Sequence, residues 1–315
     1  MRALALDGIV RFRADYPKPS PSGTDVLVRV LTAGVCETDL QLIKGYMGYR
    51  GVLGHEFVGV AENGPLAGRR VVGEINCACG ACDLCARELP THCVNRTVLG
   101  IANHDGAFAD YLVVPQRNLH PVPDPMPTEI AVFTEPVAAA FQILVQLNVA
   151  RTDRVIVLGD GRLGNLCAQV LARVAADTLV IGKHPEKLAL LQRLGIRTAL
   201  LAEAPTDRRA DVVVECTGSE SGLPAAISLV RPRGTIVLKT TVAGTQTMPW
   251  ASFVIDEITL IGSRCGPFDR ALVALEHGEV DVRPLIQERL PLERGVDALN
   301  LATQRLKVLL TVNEG

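Results

Sequence analysis

Residues 155–164 read Val-Ile-Val-Leu-Gly-Asp-Gly-Arg-Leu-Gly, an apolar run that breaks into the spacing G-x-G-x-x-G. Four consecutive branched side chains favour a strand buried on both faces. Gly159 then permits a tight turn, Gly161 lets a pyrophosphate approach the backbone, and Gly164 lets a helix pack closely on the strand. Arg162 and Leu163 open that helix, whose first N–H groups and positive dipole end would face the phosphates. Downstream, strand-like runs at 178–181, 211–215, 235–238 and 258–261 are interspersed with helical runs at 163–176 and 186–194. Such alternation predicts a parallel sheet covered by helices, a doubly wound α/β domain of the Rossmann type over 151–266.

The end of the second strand sets coenzyme choice. A ribose 2′-hydroxyl wants a carboxylate there, whereas a 2′-phosphate wants cations. The chain reads Ile181-Gly182-Lys183-His184-Pro185, with a glycine where the acid is expected and two basic side chains after it. This predicts NADP(H) in preference to NAD(H), with Lys183 and His184 on the phosphate. The plain alternative is a solvated loop lysine and an incidental histidine.

The first 130 residues have another texture. Short β-like runs at 25–31, 57–61, 70–73 and 110–114 are separated by turn residues, most densely at 17–23. An irregular β-rich domain is expected over 1–150. The tail from 267 is mixed, with a helical run at 270–277 and a β-like one at 308–312. Lys+Arg at 32 against Asp+Glu at 34 leaves a net charge of −2, which argues against nucleic acid as a partner. No uninterrupted apolar run has the length of a membrane span, and the apolar N-terminus stops short of a signal-peptide core, so a cytoplasmic protein away from membranes is expected.

Five of the nine cysteines fall between 77 and 93. Cys79, Cys82, Cys85 and Cys93 form C-x-x-C-x-x-C-x7-C, a spacing that lets one short loop of about 77–95 close a tetrahedral thiolate shell around zinc and leave no position open for chemistry. Cys77 is surplus and reads as a plain free thiol. A zinc ribbon for nucleic acid is the competing reading, disfavoured by Asp83, Glu88 and the scarcity of arginine. A second donor set is spread more widely: Cys36 in Cys36-Glu37-Thr38-Asp39, His55 in Gly54-His55-Glu56, and Glu135 in Glu135-Pro136. A thiolate, an imidazole and a carboxylate would bind zinc with one position open.

These motifs, in this order, resemble the zinc-dependent medium-chain dehydrogenase/reductase family, which includes alcohol, sorbitol and threonine dehydrogenases. The resemblance runs through nearly the whole chain, by way of residues 34–39, 54–59, the 79–93 lobe, 106–111, 135–138, the glycine turn and 211–218. It implies a GroES-like β-rich catalytic domain completed by 267–315, and a zinc alcohol dehydrogenase or carbonyl reductase acting on a secondary alcohol, polyol or ketone. Cys36 and His55 match the catalytic zinc ligands. Glu135 matches an acidic third ligand, while Glu56 matches a residue that sits behind the zinc and sometimes ligates it, so two glutamates compete for one role. Asp39 would orient His55, Thr38 would pass the alcohol proton outward, and Thr217 would join the coenzyme site. Two zinc ions per chain and a homodimer or homotetramer are implied as well. Gln41 departs from the pattern, standing where a relay histidine is common; an amide cannot exchange protons near neutrality. That departure motivates one alternative, a non-catalytic zinc- and nucleotide-binding sensor; a second, a reductase of enones or quinones without catalytic zinc, is disfavoured by the retained Cys36, His55 and Glu135. His104 is read as a surface residue, with a place at the active site as the alternative.

Overall fold

The computed structural model describes residues 1–205, 207–241 and 248–314. The chain divides into two compact units, Met1–Glu135 with Ala271–Gly315, and Pro136–Arg270.

In the first unit the strand Asp25–Gly34 is the hub. Its side chains alternate between core and rim before the strand becomes mostly buried, the pattern expected of an antiparallel strand with one face covered. It pairs antiparallel with Glu56–Ala61, Tyr111–Pro115 and Lys307–Thr311. The tail is therefore a working part of this sheet: Leu309 lies opposite Gly34 and Leu310 opposite Ala33. Val28, Val30, Val58, Phe108, Phe133 and Leu310 are almost fully buried, so two of the scarce aromatic rings serve the core. Where Asp25–Gly34 ends, the helix Glu37–Ile43 begins with Cys36 as its N-cap. The Asp39 carboxylate accepts the Cys36 N–H at 2.8 Å, the acidic half of a capping box. This local bond fixes the turn that carries the thiol.

In the second unit the strands run in the order Arg197–Leu200, Asp177–Gly182, Arg154–Leu158, Ala210–Glu215, Val230–Leu238, Thr259–Gly262, and every adjacent pair is parallel. The direction of winding reverses beside Arg154–Leu158, which places the glycine turn at the topological switch point, where such sheets bind ligands. The helix Arg162–Ala172 is shorter than the 163–176 run suggests, because the chain turns after Ala172 to enter Asp177–Gly182. Val230–Leu238 starts earlier than expected and carries an irregularity opposite Ala210/Val212. Pro185, whose fixed φ suits a first helical position, opens Pro185–Arg193. Among the described residues no helix is long and apolar enough to cross a membrane.

Candidate metal centres and coenzyme cradle

The sulfurs of Cys79, Cys82, Cys85 and Cys93 gather into one cluster. Cys82 Sγ lies 3.6 Å from Cys85 Sγ and 3.7 Å from Cys93 Sγ, and Cys93 Sγ lies 3.5 Å from Cys79 Sγ. A tetrahedron of sulfurs with zinc–sulfur bonds of about 2.3 Å has edges of about 3.8 Å, so the spacing suits that ion. The N–H groups of Ala81 and Cys82 hold the Cys79 thiol down to about 6, whereas burial and the neighbouring Cys82 push the Cys85 thiol up to about 11, so it takes a bound cation to keep all four as thiolates. Cys77 stands outside the cluster, buried in the strand Asn76–Cys77, and burial pushes its thiol up to about 11. It is an inert core residue.

A second cluster joins Cys36, His55 and Glu56, with donor atoms within 4.8 Å of one another. Cys36 comes from the helix cap, whereas His55 immediately precedes the strand Glu56–Ala61 and Glu56 opens it, opposite Gly34. Gly34 has to lack a side chain, since a Cβ there would strike the Glu56 carboxylate. His55 is 3% exposed and Glu56 fully buried, yet His55 Nδ1, Asp39 Oδ1 and Glu56 Oε1 have no hydrogen-bond partner. Orphaned buried atoms of this kind are costly. His55 Nδ1 is 3.4 Å from Asp39 Oδ1, inside ion-pair range but poorly aligned for a hydrogen bond. Burial opposes a charge on His55, but Asp39 and Cys36 outweigh it and lift the imidazole well above its usual range. The pocket thus favours positive charge, and a zinc ion facing the thiolate and Glu56 Oε1 would supply it. The residues fit the metal.

Glu135, in the first turn of Thr134–Gln146, is half-buried and is not a member of this cluster. Lys307 is a participant that the motifs do not reveal. Its Nζ is paired with Glu56 Oε2, lies 3.3 Å from the Val35 carbonyl, and is 1% exposed. Thr38 Oγ1 is 3.9 Å from Cys36 Sγ. Gln41 Nε2 donates to Glu37 Oε1 at 2.9 Å. His104 is neither free on the surface nor part of the cluster: its ring contacts the Thr97 hydroxyl at 2.9 Å and the Val113 carbonyl at 2.7 Å.

In the second unit Gly159 has φ +126°, and a Cβ there would fall 2.7 Å from the Cys216 carbonyl oxygen, so the turn itself demands glycine. A Cβ at Gly164 would strike the Gly159 carbonyl. Gly161 differs. A Cβ there would meet nothing within 4 Å, so the protein's own packing does not ask for glycine, and the space suits a close-lying phosphate. The N–H groups of Arg162, Leu163 and Gly164 form the open first turn of the helix beside it. Thr217 follows the next strand, but its hydroxyl is bonded at 2.5 Å to the buried Glu215 carboxylate. Lys183 and His184 are exposed just past Gly182.

Residues 22–124 match the family model of the alcohol dehydrogenase GroES-like domain, and residues 163–276 match that of zinc-binding dehydrogenases. An L-threonine 3-dehydrogenase of Chelativorans sp. strain BNC1 is 30% identical, over 92% of this chain and 91% of that protein. The chain belongs to the zinc-dependent medium-chain dehydrogenase family. A sorbitol dehydrogenase of Halalkalibacterium halodurans is 27% identical over 94% of both chains. The solved structure of alcohol dehydrogenase TADH from Thermus sp. ATN1 superposes with a TM-score of 0.89 at 29% identity, covering 99% of this chain and all of that one. As a medium-chain dehydrogenase the protein is an oxidoreductase of the alcohol dehydrogenase type, with a GroES-like and a Rossmann-like part.

Proposed function

We propose that this dehydrogenase moves hydride between NADP(H), favoured over NAD(H), and a secondary alcohol, polyol or ketone. The observation that carries the reading is the convergence of Cys36, His55 and Glu56, with the buried Glu56 Oε1 left without a hydrogen-bond partner. Bound zinc supplies Lewis acidity that lowers the pKa of an alcohol or polarises a carbonyl, and the nicotinamide supplies the redox couple. The chain's own residues do the rest. Cys36 and His55 hold the metal, and Glu56 Oε1 is the third donor, with Glu135 as the carboxylate in reserve. Asp39 sets the His55 tautomer from the Nδ1 side. The Thr38 hydroxyl carries the alcohol proton away from the metal. Gln41, tied to Glu37, cannot relay it by titration, so the next acceptor is solvent. Cys79, Cys82, Cys85 and Cys93 hold a second, structural zinc.

Gly159, Gly161 and Gly164 cradle the pyrophosphate on the open N–H groups of Arg162 and Leu163, while Lys183 and His184 supply the positive charge for a 2′-phosphate. Thr217 contributes as backbone rather than hydroxyl. The protein assembles as a homodimer or homotetramer in the cytoplasm.

Metal analysis combined with turnover tests this reading. Wild type is expected to carry two zinc ions and to reduce ketones with NADPH. Cys36→Ser and Glu56→Gln should each fall to one zinc and lose turnover by about 10³-fold or more, the scale on which Lewis-acid stabilisation acts. Glu135→Gln should keep both ions. Unchanged turnover in Cys36→Ser would refute the catalytic zinc.

A further inference from the structure

We propose that Asp160, the variable residue inside the first glycine pair, is the positioning residue for the 2′-phosphate of NADP(H), acting through His184. The proposal rests on the coenzyme reading above and extends it to a residue which that reading does not use.

Gly182 leaves the end of the second strand without a carboxylate of its own, yet a carboxylate is there. The Asp160 side chain reaches across from the glycine turn into the space beside Gly182, where a Cβ would fall 2.5 Å from the Asp160 Cβ. Asp160 Oδ2 accepts the N–H of Lys183 at 2.6 Å and that of His184 at 2.7 Å. Asp160 Oδ1 lies 3.0 Å from His184 Nδ1. Asp160 is 8% exposed, whereas the His184 side chain is 49% exposed. Burial opposes the Asp160 charge, but the His184 ring and the two backbone N–H groups outweigh it and hold the carboxyl below its usual range.

An ionised carboxylate offers about four acceptor positions, and three of these are spent on residues 183 and 184. It has little capacity left for a ribose hydroxyl, which would be the ordinary work of an acid at this place. Its geometry does something else. The two backbone bonds fix the turn that presents Lys183, and the bond to Nδ1 turns the imidazole so that its Nε2 edge points away from the carboxylate. The carboxylate is thereby engaged inside the turn by three hydrogen-bonding groups, and the exposed Lys183 side chain is left to supply positive charge for a phosphate dianion.

The test is direct binding of coenzyme to the full-length protein. Asp160→Asn keeps the shape and one acceptor oxygen but removes the charge. It should weaken NADPH and 2′,5′-ADP by about tenfold, the scale of one charge-assisted hydrogen bond, while NADH and ADP move less than about twofold. With NADPH the KM should rise at constant kcat. In a His184→Gln background, itself about tenfold weaker for NADPH, Asp160→Asn should add almost nothing, because both changes act through one ring. His184 is exposed, so its variant is expected to fold even if Asp160→Asn does not, and undiminished NADPH affinity in His184→Gln would by itself overturn the proposal. Tighter NADPH binding in Asp160→Asn, or equal weakening of both coenzymes, would also overturn it. A wild type without preference for NADPH would overturn both this proposal and the coenzyme reading. A preference that survives Asp160→Asn intact would overturn this proposal alone.

Discussion

Glu56 is a buried carboxylate beside a thiol, and Lys307 is what makes that tolerable. The ammonium pairs with Oε2, reaches the Val35 carbonyl, and stands 5.3 Å from the centre of the Phe133 ring. Removing one partner of a buried pair leaves the other charge uncompensated, at a cost of about 3–5 kcal/mol. Lys307→Met should therefore lower the unfolding free energy by that amount in chemical denaturation, far more than a surface lysine would; a change under about 1 kcal/mol would show that the pair is dispensable. Cys36 and His55 were legible in the sequence because short motifs carry them. Lys307 was not, since its partner lies 251 positions away and nothing in Lys307-Val308-Leu309-Leu310 states which strand it joins. The only available signal was a lysine opening a fully apolar run. Asp160 was hidden differently: it sits in plain view inside the glycine motif, at a position where the motif accepts any residue, and its meaning emerges only when Gly182 is placed beside it.

The strand–turn–helix that holds the coenzyme shows why elements were easier to read than sites. Continuous burial of Val155, Ile156, Val157 and Leu158 is written into their types, and the glycines mark where the strand must stop. Boundaries drifted where tertiary needs override local preference, as at Ala172, where a helical sequence gives way so that the next strand can enter the sheet. Within this element the glycines separate by role. Gly161 has φ −73° and ψ −179°, a conformation open to any residue, and no neighbour within reach of a Cβ. Gly161→Ala should thus leave the melting temperature within about 2 °C and weaken coenzyme by about tenfold or more, as expected for steric exclusion of a close-lying phosphate. Calorimetry with and without coenzyme checks both halves. Equal coenzyme affinity would mean that the phosphates lie elsewhere.

For the whole molecule, the tail's return to the first sheet could be anticipated only from the family resemblance, since no local pattern in 308–312 names Asp25–Gly34 as its partner. The second unit leaves an apolar edge uncovered. Trp250, Val254 and Ile255 on the helix Trp250–Ile255 are 66%, 77% and 78% exposed, and beside them Thr259–Gly262 has a partner strand on one side only among the described residues. An exposed edge flanked by apolar side chains invites pairing with a second copy. Val254→Glu combined with Ile255→Glu should convert the proposed homodimer or homotetramer to smaller species in analytical ultracentrifugation, and an unchanged sedimentation coefficient would place the interface elsewhere. The proposed chemistry turns on a metal among Cys36, His55 and Glu56. Anomalous diffraction at the zinc edge from crystals of the purified protein reads it directly. Two peaks per chain are expected, one inside the four-cysteine lobe and one bounded by Cys36 Sγ, His55 Nε2 and Glu56 Oε1. A single peak in the lobe, with zinc present in excess, would contradict that chemistry.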